Sequence, residues 1–320
     1  MAFLKDAIKH YTVDLPNRMK EIKASLDTVT QQVRDPRPGG PATPGPAPVP
    51  RAPEPAHRVN PRPGTSPTPA QNDLDVPDGQ VDAVLSSLEE LMDIVENLDF
   101  ATDFNSVGGM PVLLRLLGSR HAAVRGAAAE VLATSVQNHP QAQAFAVAQG
   151  CLPALSALLS AEGQDAGALA KGLFACGSLV RGNEAAMAAL REAVGVRRVA
   201  ALAGHGDARV RRKALQLMAA LARESAGCRA DVVAAGAVGA LVGALGEEDM
   251  GVVHVALESL FALAKDPASR GSVQGSAAVA GAVTALLGRL EGMSAEDRDA
   301  YREQSVLAKL LSRVAGGAGS

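Results

Sequence analysis

From residue 81 onward the apolar positions recur in units of a little over forty residues. A glycine opens each unit, at Gly109, Gly150, Gly195, Gly236 and Gly281, in steps of 41, 45, 41 and 45 residues. Each glycine precedes a short apolar stretch: MPVLLRLLGS, CLPALSALLS, VRRVAALAGH, AVGALVGALG and AVTALLGRLE. Four longer stretches follow the first four of these, VRGAAAEVLATSVQN, LAKGLFACGSLVRG, VRRKALQLMAALARE and VVHVALESLFALAKD, starting at 124, 169, 210 and 252. In the third, Val210, Ala214, Leu217, Met218 and Leu221 fall on one helical face and are predicted core.

A period in the forties with two or three helices per unit predicts an all-α, armadillo/HEAT-like solenoid with a right-handed superhelix. One such unit cannot bury its own apolar face, so neighbours must stack. Residues 81–97 supply the long helix of a capping half-repeat, and charged helices over 293–314 cap the other end. The solenoid is thus expected over 81–315, followed by a flexible tail at 316–320. Upstream, Met19, Ile22, Leu26, Val29 and Val33 repeat at alternating steps of three and four, and Phe3, Leu4, Ala7, Ile8 and Tyr11 share a face. Residues 1–33 therefore read as an amphipathic helical segment. Three fates stay open for it: docking on the main domain, docking on a partner, or forming only transiently. Between the two zones, residues 34–80 hold fourteen of the nineteen prolines and little to bury. That composition predicts an extended, disordered linker.

Composition narrows the function. Hydrophobic residues make up 47%, mostly Ala, Leu and Val, with only 2% aromatic, which suits close-packed helices. A net charge of −3 and a pI near 6.1 speak against nucleic acid as a partner. No apolar run reaches membrane-spanning length. The start carries Lys5, Asp6 and Lys9 where a signal peptide needs an apolar run, so a cytoplasmic location is expected, with the endoplasmic reticulum lumen as the alternative if the true N-terminus lies elsewhere. Cys151, Cys176 and Cys228 lie far apart without CxxC spacing and read as buried, reduced thiols. No phosphate-binding loop, nucleophile elbow or metal-ligand spacing is present, so no enzyme, cofactor or metal is expected. His121 and His139 flank helix ends, where capping is the usual role.

The face of each long helix opposite its core stripe should line the inner surface of the solenoid. In the third repeat this face carries Arg212, Gln216 and Arg223, preceded by Arg209. Sliding by 42 residues gives Ala170, Phe174 and Arg181 beside Lys171, and His254, Glu258 and Lys265 near Phe261; a further step of 44 gives Gly126, Glu130 and Gln137 beside Asn138. A polar surface is expected, locally basic in repeats two and three, with one or two exposed aromatics. Solenoids bind extended partners on this side.

The segments LEELMDIVENLDFATDFNSVGGMPVLL, VRGAAAEVLATSVQNHP and KGLFACGSLVRGN resemble, in order, parts of the Hsp70-binding-protein-1/Fes1 family of armadillo nucleotide exchange factors. The resemblance covers about residues 85–266. It implies a co-chaperone that wraps lobe II of the Hsp70 nucleotide-binding domain, opens its cleft and releases ADP, and so client. It also implies docking residues at Asn97, Asp99, Ala101, Asn138, Lys171, Phe174, Arg181 and Arg212, where VRRKAL permits a shift onto Arg211 or Lys213. Gln216, His254 and Glu258 join this set from the register alone. Phe100 and Thr102 depart from the family, which often has asparagines there. Phe104 is expected to staple the first repeat to the cap, with Asn97 and Asp99 at the helix junction. A monomer is expected. The competing reading is a generic armadillo scaffold for an extended peptide, although the chain has no tryptophan for the usual tryptophan–asparagine arrays.

Overall fold

The computed structural model describes residues 17–30, 76–96, 104, 106–160 and 165–316. All regular structure among them is helical. Residues 17–30 form α1, and a 3-10 turn at Asp78–Gln80 leads into α2 (Val81–Val95). The first repeat contributes α3 (Gly109–Leu116) and α4 (Ala122–Val136); the second α5 (Pro140–Ala148), α6 (Cys151–Ser160) and α7 (Ala166–Val180). The third is α8 (Glu184–Ala193), α9 (Val196–Leu202) and α10 (Ala208–Glu224); the fourth α11 (Ala226–Ala234), α12 (Val238–Ala244) and α13 (Met250–Lys265). Helices α14 (Ala277–Glu291), α15 (Ala295–Ala300) and α16 (Arg302–Ala315) follow. The long helices α2, α4, α7, α10, α13 and α16 pack side by side in that order. This is the all-α solenoid that the repeat predicts, and Val210, Ala214, Leu217, Met218 and Leu221 are all buried in it.

Three of the four long helices in the repeats, α7, α10 and α13, start two or three residues ahead of their apolar stretches because side chains cap them. Asp165 accepts from the Ala168 N–H at 3.0 Å, Asp207 from Arg209 N–H at 2.8 Å, and Asp249 from Gly251 N–H at 2.9 Å. Each carboxylate satisfies an orphan donor and meets the positive end of the helix dipole. The helices that open repeats two to four are capped by His139, Asn183 and Ser225. An arginine in the first turn of two long helices then ties off the turn before it. Arg125 donates to the Ser119 and Arg120 carbonyls, both at 2.7 Å, and Arg211 to those of His205 and Gly206 at 3.1 and 2.9 Å.

Two of the glycine landmarks are displaced. In the first repeat the left-handed residue is Gly108 (φ 77°), and Gly109 lies inside α3. A Cβ on Gly109 would sit 2.0 Å from the Phe104 ring, which is buried there and anchors the start of the repeat. At the far end Gly281 is inside α14 and the left-handed turn is Gly275 (φ 72°). Helix α14 begins about one turn before its apolar stretch because Ser276 caps it, accepting from Val279 N–H at 3.4 Å.

Helix α1 docks on the solenoid. Met19, Ile22 and Leu26 are buried, Arg18 binds the Glu90 carboxylate on α2, and Asp27 binds both Lys23 (2.7 Å) and Arg115 of α3. The ion pairs are partly exposed and orient the helix more than they stabilise it; the apolar stripe supplies the energy. The folded unit also begins earlier than residue 81. Val76 is buried and its carbonyl lies 2.8 Å from His121 Nε2, so residues 76–80 belong to the domain and not to the linker expected over 34–80. Residues 1–16, 31–75 and 317–320 lie outside the described set.

All three thiols are buried and unpaired with one another. Burial pushes Cys151 up to about 12 and raises Cys176 and Cys228 as well, so they act as small apolar residues. No single described helix is long and apolar enough to cross a membrane.

If α1 is an integral part of the domain, Leu26→Ala should lower unfolding free energy by about 2–5 kcal/mol, the usual range for a buried leucine. Denaturant titration measures this; a change below about 0.5 kcal/mol, typical of surface substitutions, would mean that α1 does not dock.

Candidate partner-binding groove

One stripe of each long helix stays uncovered, and these stripes join into a groove. Its N-terminal part, between α2, α4 and α7, encloses about 520 Å3. Leu85, Met92 and Ala127 make its floor, while Glu89, Asp93, Glu96 and Glu130 make an acidic wall. Lys171 closes this part by bridging from α7 to Glu130 at 2.6 Å. Phe174, one turn further along α7, lines both this space and a smaller one of about 40 Å3 between α7 and α10. There the lining changes sign: Arg181 and Lys213 face the pocket with Gln137 and Gln216. The Lys213 ammonium lies 4.6 Å from the centre of the Phe174 ring, and Lys265 lies 4.5 Å from that of Phe261 on α13. Both are cation–π contacts on half-buried aromatics. The groove therefore runs from acidic to basic across Phe174.

The predicted docking residues distribute unevenly. Lys171, Phe174, Arg181 and Gln216 line the groove. Arg212 is exposed but drawn along the row to Asp249, the cap of α13, at 2.5 Å. It is Lys213 that turns towards Phe174, while Arg211 is spent on the turn before α10 and on Glu247 at 3.2 Å. His254 and Glu258 are half-buried and engaged with each other at 3.8 Å, and Glu258 accepts from Arg223 of α10 at 2.9 Å. They hold α13 to α10 instead of standing open to a partner. Asn97, Asp99 and Ala101, and the helix junction expected around them, lie outside the described residues.

The repeat register misplaces two positions. Gly126 is buried where α4 meets α7, and Ala170 is buried on α7. A Cβ on Gly126 would lie 3.5 Å from the Ala168 Cα. Asn138 is exposed but has a conformational job: its φ is 56°, and Gly182 takes the same role at the end of α7 with φ 67°. Asparagine tolerates this left-handed geometry better than other side chains.

One residue that holds the groove was not singled out from the sequence. Gln143, fully buried in α5, donates from Nε2 to the carbonyls of Ser178 (2.9 Å) and Arg181 (3.3 Å), and accepts from Asn183 Nδ2 at 3.1 Å. The Gly182 N–H also donates to Glu224 of α10 at 3.2 Å. Together these bonds fix the end of α7 from which Arg181 projects. A glutamine among alanines in AQAFAVA was the available signal.

Residues 100–226, from just before α3 to the end of α10, match the model of the SIL1/FES1/HPBP1 C-terminal domain. Over this segment, less than half of its length, the chain is similar to that family. The family segment contains Lys171, Phe174, Arg181, Arg212 and Gln216, and ends before His254 and Glu258. Hsp70-binding protein 1 from Homo sapiens and from Rattus norvegicus is 37% identical to this chain over 102 residues, 32% of this chain and 28% of theirs. The match thus spans little more than a quarter of those relatives' length. Among solved structures, a designed armadillo repeat protein covers 75% of this chain and 95% of its own with a TM-score of 0.63 at 18% identity. Another, in complex with the peptide (KR)4, covers 74% and 95% with a TM-score of 0.59 at 18% identity. These likenesses extend the armadillo fold of the family segment over most of the described chain.

If Asn138 is set by backbone geometry, Asn138→Gly should leave the melting temperature nearly unchanged, and Asn138→Val should cost about 1–2 kcal/mol. Equal losses for both variants would contradict that role.

Proposed function

We propose that the chain is an Hsp70 nucleotide exchange factor that binds lobe II of the Hsp70 nucleotide-binding domain through the long-helix groove. The observation that carries this reading is the overlap between the family segment and the part of the groove where Phe174, Arg181 and Gln216 face outward. The relatives that share this segment are named for binding Hsp70. A rigid row of helices is suited to hold a folded lobe in one orientation. A partner that prefers the open nucleotide cleft lowers ADP affinity by the same coupling free energy with which ADP weakens the partner. The chain then acts by binding, as a monomer, and catalyses no covalent step.

The second reading, a scaffold for an extended peptide, draws on the designed armadillo protein that carries (KR)4. The basic middle of this groove disfavours a peptide of that charge along its whole length.

Saturating full-length protein should lower the affinity of an Hsp70 nucleotide-binding domain for fluorescent ADP by about 5–150-fold, the common range of coupling between sites. It should also speed ADP release, and Phe174→Ala and Ala101→Arg should each reduce both effects. Unchanged ADP affinity and release with the wild-type chain would refute the exchange function. Full activity of both variants would refute the docking residues only.

A further inference from the structure

We propose that Arg181 and Lys213, beside the Phe174 ring, form a subsite that receives a carboxylate side chain from the partner. The inference rests on the reading of the groove as the Hsp70-binding surface and adds the chemistry of one contact. Neighbouring cations along the row are matched by acids of this chain: Lys171 by Glu130 at 2.6 Å, Arg212 by Asp249 at 2.5 Å, Arg223 by Glu258 at 2.9 Å. Arg181 and Lys213 have no ion pair among the described residues, yet both line one small pocket.

Lys213 is also held where a lysine is uncomfortable. Burial, with the positive charges of Arg212 and Arg181 added, pulls its ammonium below the ordinary lysine value. A free lysine escapes such a site by extending its stem into water. Here the ammonium stays 4.6 Å from the Phe174 ring. The fold therefore keeps two like charges close together with no counterion among the described residues, a local cost that an incoming anion removes. The pocket volume of about 40 Å3 suits one small group; a water's share of liquid volume is about 30 Å3. A carboxylate fits that volume, whereas an aromatic ring or a helix does not. Gln137 and Gln216 add amide donors at the rim. An aspartate or glutamate on the surface of a folded partner is the occupant that this charge, size and donor set select.

The test compares wild type, Lys213→Met and Lys213→Glu in full-length protein. It measures binding to a purified Hsp70 nucleotide-binding domain at low and high NaCl, together with thermal melting of each variant alone. The methionine variant should melt at or above the wild-type temperature, since it sheds an unmatched charge. It should bind about tenfold more weakly at low salt, with a shallower salt dependence. Lys213→Glu should bind more weakly still. Wild-type binding matched by Lys213→Met, with the same salt dependence, would overturn the subsite and leave the exchange-factor reading standing. So would weaker binding by Lys213→Met that goes with a lowered melting temperature and an unchanged salt dependence, since the lysine would then be structural. Absence of wild-type binding would overturn the exchange-factor reading and the subsite together.

Discussion

The close approach of α4 and α7 is the constraint on which the groove depends. Gly126 lies against α7: a Cβ there would already stand in van der Waals contact with it, 3.5 Å from the Ala168 Cα and 3.4 Å from the Lys171 stem. Ala128, Ala129 and Ala133 on α4, with Ala168 and Ala175 on α7, are all buried. Small residues let the helices close the gap and gain dispersion contacts over their whole length. That spacing lets Lys171 span the seam to Glu130 and sets Phe174 one turn beyond, where the two parts of the groove meet. A side chain longer than alanine at 126 would press on α7 and on the Lys171 stem, so the geometry of the site is inherited from the packing beneath it.

Holding the end of α7 is the next requirement, and it is met by polar bonds instead of apolar contact. Gln143 occupies two carbonyls there, and Asn183 occupies Gln143 in turn. Buried polar groups are costly unless fully partnered, and once partnered they fix one arrangement. The result is a groove whose cations project from a rigid base. On the acidic side the charges are carried by α2 and α4, and on the basic side by α7 and α10. A partner docked across Phe174 therefore meets opposite potentials on its two sides, which favours one orientation over its reverse.

Much of this was legible in the sequence because periodicity alone encodes it. The four long helices, their core stripe and Phe174 follow from spacing in the forties. The Asp165, Asp207 and Asp249 caps lie 42 residues apart and were equally readable, but the apolar pattern drew the helix starts two or three residues too late. Other features depended on information that spacing does not hold. Arg211, Arg212 and Lys213 are consecutive cations, and only the turn before α10 and the cap of α13 decide which of them reaches the groove. His254 and Glu258 sit at matching register yet are consumed by Arg223. The docking of α1 required knowing that Glu90 and Arg115, over seventy residues away, present charges beside an open apolar stripe. Gly281 misled because α14 extends upstream to Ser276, and glycine inside a helix looks the same in sequence as glycine before one.

The claim that the long-helix row is the docking surface is tested most directly by amide hydrogen exchange on the full-length protein. The exchange is followed with and without a purified Hsp70 nucleotide-binding domain. Slowed exchange in α7 and α10, with the short helices α8 and α11 unchanged, is the predicted result. Slowing confined to the short helices, or spread over none of the long ones, would contradict it.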